Sequence, residues 1–121
     1  MEFTNLVDLV QVFANEYCKP NFMILVNGVH RNLKAKEIKD LFSFINSEVI
    51  VIDDQPHQDT DIVTEILPFE SHSFDLIISF KYQDDDYFKR VLKPNGKLLF
   101  KSSSLCELIY FKFGEDIFCI K

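Results

Sequence analysis

The stretch "NFMILVNGVHRNL" (residues 22–34) constrains the fold more than any other part of the chain. Five consecutive apolar residues, Phe22 to Val26, have the length of a strand and no polar alternation, so both faces of that strand must be covered. The run stops at Asn27-Gly28, and a helical pattern follows, with Asn32 as its expected cap and Ile38, Leu41, Phe42 and Ile45 as its apolar stripe. "EVIVIDD" (48–54) repeats the strand signature and ends on two carboxylates, and "FDLIISF" (74–80) repeats it again. Buried strands alternating with amphipathic helices predict an α/β chain with a mainly parallel sheet and helices on both faces.

The remaining elements fit that plan. Thr4 is placed to cap a first helix carrying Leu6, Leu9, Val10, Phe13 and Tyr17 on one face, and Lys19-Pro20 ends it. "DIVTEIL" (61–67) reads as a further strand. "DDDYFKRVLK" (84–93) reads as a short helix with Asp84, Asp85 and Asp86 at its start, where carboxylates offset the helix dipole. Successive helical positions diverge by about 100°, so these three are expected to cap rather than to hold a metal. "KPNG" (93–96) reads as a turn and "KLLFKSS" (97–103) as a fifth strand. Leu108 to Lys121 reads as a terminal antiparallel hairpin around Gly114-Glu115-Asp116.

With 121 residues, 47% of them hydrophobic, and neither linker nor repeat, the chain is expected to form a single domain over 1–121. Its formal charge of −6 argues against nucleic acid or an anionic membrane as partner. Lys34, Lys36 and Lys39, interleaved with Glu37 and Asp40, read as a solvated helix face. No secretory signal or spanning segment is expected, and Cys18, Cys106 and Cys119 lack metal-ligand spacing. Reduced cysteines in a cytoplasmic protein are the expectation. His30, His57 and His72 read as loop histidines, with His30 placed over the cleft that follows the first buried strand.

"LPFESHSFDLIIS" (67–79) followed by "YFKRVLKPNGKLLF" (87–100) resembles the second half of the class I S-adenosylmethionine methyltransferase fold. The turn, the S-F-D-L strand and the R-V-L-K-P-x-G-K-L strand occur in the same order there. The resemblance implies a Rossmann-like sheet of order 3-2-1-4-5-7-6 with an antiparallel pair at its end. Within that superfamily the chain most resembles the methyltransferase-like N-terminal domain of the anamorsin family, which works in cytosolic iron–sulfur cluster assembly. The family's cysteine-rich cluster region has no counterpart in this sequence, so what the resemblance can transfer is protein docking.

A cofactor loop of this fold needs glycines after the first central strand. Asn27-Gly28-Val29-His30-Arg31 offers one glycine followed by bulky residues. Under an enzymatic reading, Asn27, Gly28 and Asp53 would hold S-adenosylmethionine, with Asp53 accepting from the ribose hydroxyls. Lys81 or Tyr82 would be the available base, although an exposed lysine and a packing tyrosine are the expected roles. The expectation from sequence is therefore no catalytic residue, no cofactor and no metal. The chain is expected to be a non-catalytic protein-interaction domain with a protein partner. The alternatives are a minimal S-adenosylmethionine-dependent methyltransferase or the inactive partner subunit of one. The acidic face and the Phe-rich segment of Tyr110, Phe111, Phe113 and Phe118 are the candidate docking surfaces, although ordinary core of an edge hairpin is the expected role of that segment, and Val29 and His30 are expected to fill the cofactor position.

Overall fold

A computed structural model of the chain describes residues 2–28, 30, 33–43, 46–55, 60–63, 69–81, 85–102 and 110–121. In chain order the elements are β1 (Glu2–Phe3), α1 (Leu6–Tyr17), β2 (Met23–Asn27), α2 (Ala35–Ser43), β3 (Glu48–Asp53) and β4 (Ile62–Val63). They continue with β5 (Phe74–Ser79), α3 (Asp85–Val91), β6 (Leu92–Ser102), β7 (Tyr110–Phe113) and β8 (Asp116–Ile120). The strands form one sheet of order β1-β7-β8-β6-β5-β2-β3-β4. Every neighbouring pair is parallel except β6–β8 and β7–β8, so the sheet is α/β, mixed and mostly parallel.

The apolar run of β2 is continuous because the strand is covered on both sides. Ile24 and Val26 join a core with α1 and α2, whereas Leu25 joins a second core with Phe88 and Val91 of α3. α1 turns Leu6, Leu9, Val10, Phe13 and Ala14 inward, and α2 turns Ala35, Ile38 and Phe42. Both stripes follow the three-to-four residue spacing read in the sequence.

Several local expectations are corrected. Asn5, not Thr4, caps α1: its backbone is extended (φ −134, ψ 124) and its side chain accepts the Val7 N–H at 2.9 Å. β1 is new, because two residues carry no periodicity, and it pairs in parallel with β7 on the sheet edge. Asn32 lies outside the described residues; at the start of α2, the Lys34 N–H donates to the Glu37 carboxylate at 3.2 Å. Only Ile62–Val63 of the "DIVTEIL" segment is described as strand, and 64–67 lie outside.

The "KPNG" segment is part of β6 rather than a turn between elements. Phe74 pairs with Leu92 and Leu76 with Lys97, so two steps along β5 answer to five along β6, and the surplus is a wide bulge. Gly96 permits it: a Cβ there would stand 2.5 Å from Leu92 Cδ1 and 2.8 Å from the Asp75 carbonyl oxygen. From Tyr110 onward the terminal hairpin forms as read, with Phe113 opposite Asp116 and Gly114 at φ +59 in the turn, while Leu108 and Ile109 lie outside the described residues. Its Phe111 and Phe118 are buried in the core and Phe113 packs against it, which removes Phe111 and Phe118 from the candidate docking surface. The side chain of Tyr110 lies outside the described residues.

Candidate functional site

The strand order reverses at β2, whose neighbours are β3 and β5, and that is where open α/β sheets place ligands, beyond the carboxyl ends of the strands. Asn27 pairs in register with Ile52 of β3 and Ser79 of β5. Asn27-Gly28, Asp53-Asp54 and Phe80-Lys81 therefore emerge side by side.

Backbone and side-chain bonds lock this edge. The Gly28 N–H donates to the Ile52 carbonyl at 2.8 Å, and the Phe80 N–H to the Asn27 carbonyl at 2.9 Å. Asn27 Nδ2 donates to Ser79 Oγ at 3.2 Å, and Ser79 Oγ donates to the Lys81 carbonyl at 2.7 Å. Asn27 is buried, so this amide braces two strands.

Gly28 has φ +87, a backbone state natural to glycine. The space a side chain would take there is filled by the stem of Lys81, whose Cγ, Cδ and Cε lie 2.7, 3.1 and 3.3 Å from an ideal Cβ. The Lys81 ammonium continues to Asp53 Oδ1 at 2.5 Å and also binds Asp54 Oδ1. The Asp53 side chain is fully buried, whereas Lys81 is 38% exposed. The Gln55 N–H adds a bond to Asp53 Oδ1 at 3.1 Å.

Electrostatics follow from this geometry. Burial works against ionisation of Asp53, but the hydrogen bonds it accepts from the Lys81 ammonium and the Gln55 N–H outweigh it, and its pKa falls to about 2. Burial likewise works to lower the Lys81 pKa, and the two carboxylates overcome it and raise the value. A lysine acting as a general base needs the opposite shift. Lys81 is thus held as a cation rather than simply exposed. Tyr82 lies outside the described residues.

His30 is not a solvated loop histidine. It is buried, with Nε2 3.2 Å from Asp116 Oδ2 and its ring edge-on to Phe80 and Phe113 at centroid distances of 5.7 and 6.1 Å. It ties the loop after β2 to the terminal hairpin. Val29 lies outside the described residues, so of the two side chains expected over the glycine only His30 is placed, and Lys81 occupies that position. Sequence reading missed this because Lys81 follows Gly28 by more than fifty residues; its place one residue beyond the "FDLIISF" strand was the available signal.

Elsewhere, Cys119 is disulfide-bonded, which corrects the expectation of three reduced thiols. Cys18 is free, its pKa raised chiefly by burial. Among the described residues no group of acidic, His or Cys side chains is arranged for a metal, and no helix is long and apolar enough to cross a membrane. Comparison with protein-family models and with characterised proteins finds no match for this chain.

Proposed function

We propose that this chain is a methyltransferase-like domain that has given up its cofactor and serves as a protein-interaction module. The single observation that carries the reading is the Lys81 side chain, lying across Gly28 and ending on Asp53 and Asp54. A ribose would need the carboxylate oxygens that the ammonium holds, and a methionine moiety would need room beside Gly28. The strand order supports the ancestry: with the short β1 set aside, β2 to β8 run in the order 3-2-1-4-5-7-6, with the antiparallel pairs at the β8 end.

The link to cytosolic iron–sulfur assembly, and the cytoplasmic placement with it, rests on the resemblance of residues 67–79 and 87–100 to the anamorsin-type domain. The disulfide at Cys119 is the feature that stands against a reducing compartment.

Calorimetric titration with S-adenosylmethionine and S-adenosylhomocysteine tests the reading. No binding tighter than about 100 µM, roughly −5.5 kcal/mol, is expected. Tighter binding that Asp53→Ala abolishes would overturn it and favour the minimal methyltransferase.

A further inference from the structure

At the opposite end of the same strands, the amino ends of β2 and β5 and the bulge of β6 enclose a cleft of about 570 Å³. Its volume lies within the range of small-ligand sites, roughly 300–1,000 Å³. The bulge creates it: the surplus residues between Leu92 and Lys97 stand out as a wall facing the last turn of α1. Tyr17 and Phe22 contribute aromatic surface, and both are half-buried.

The lining carries a net charge of +1, three ammonium groups against two carboxylates. Lys19, Lys93 and Lys97 line the cleft against two carboxylates, Glu16 and Asp75. Asp75 is already committed, since it accepts the Met23 N–H at 2.9 Å and pairs with Lys93 at 3.2 Å. Among the described residues neither Lys19 nor Lys97 has a carboxylate at ion-pairing distance. The Lys97 ammonium instead stands 5.8 Å from the centre of the Tyr17 ring. Two cations beside two aromatic rings, on a chain of net charge −6, make a local preference for an anion.

We propose that this cleft is a binding site for a small aromatic anion, its ring against Tyr17 and Phe22 and its carboxylate or phosphate between Lys19 and Lys97. A ring inserted there keeps aromatic contact, and the anion supplies the charged partner that neither ammonium group has among the described residues. The site shares no residue with the Lys81 cluster and does not depend on the fate of the cofactor cleft.

Two-dimensional amide NMR of the intact chain, titrated with phenylacetate, phenylphosphate and the cation benzylamine, tests it. The anions should shift amides of residues 17–22 and 93–97 with a dissociation constant of about 1 mM or tighter, and benzylamine should not. Lys19→Glu combined with Lys97→Glu should weaken the anions by about tenfold or more with the amide dispersion unchanged. Lys97→Met, which keeps the stem, should give a smaller loss. Equal response to benzylamine, shifts scattered over the surface, or unchanged affinity in both variants would overturn the proposal. Tighter binding of an acetyl-Glu-Phe-Glu-amide peptide than of either small anion would overturn it in favour of a peptide groove.

Discussion

Replacing Lys81 by alanine removes the stem above Gly28 and the cation on Asp53 in one step. The pKa of Asp53 falls from 3.8 to about 2 in the folded chain, which at 1.36 kcal/mol per unit sets a ceiling of about 2.5 kcal/mol. Lys81 is 38% exposed, so water screens the pair and the expected loss is about 1–2 kcal/mol. Urea unfolding at neutral pH measures it directly. The acid limb gives a second readout. A depressed folded pKa contributes stability that is fully present above the unfolded value of 3.8 and is lost as pH falls toward about 2. In Lys81→Ala the buried carboxylate lacks its cation, so its pKa rises and acid unfolding begins at higher pH. A variant within about 0.3 kcal/mol of the parent at neutral pH, a difference typical of an inert surface site, with an unchanged acid midpoint would refute the account of the pair.

Gly28→Ala should cost about 1–3 kcal/mol, because φ is +87 and the new methyl would stand 2.7 Å from Lys81 Cγ. Its cost should be smaller in the Lys81→Ala background, which a double-mutant cycle of urea midpoints detects. Phe118→Ala, emptying a fully buried site, should lose about 3–5 kcal/mol by the same measurement. For Asp116, burial opposes ionisation but His30 and Lys101 prevail, so its pKa is lowered. The stability it contributes is present above 3.8 and lost as pH falls through the folded value. Asp116→Asn should therefore flatten that part of the acid unfolding curve, followed by circular dichroism.

The alternation of apolar runs with helical stripes was enough to read α/β layering, because a strand covered on both faces has no polar positions to spare. Met23–Asn27, Glu48–Asp53 and Phe74–Ser79 all lie within a residue or so of the expected runs. Periodicity could not report β1, whose two residues are strand only because β7 offers a free edge. Nor could it assign "KPNG" to a bulge, since a turn and a bulge call for the same residues.

Of the candidate site, the sequence by itself determined the participants at one edge: a lone glycine after β2 and a carboxylate after β3. Register between β2, β3 and β5 decided what those residues do. It set Lys81 over Gly28 and against Asp53, residues separated by 53 and 28 positions in the chain, and the pairing of β8 with β6 and β7 brought Asp116 to His30 at a separation of 86. Local patterning encodes which face of an element is apolar, whereas the partner of a charge at a strand end depends on which strands become neighbours. That is a property of the whole sheet, and only the tertiary structure supplies it.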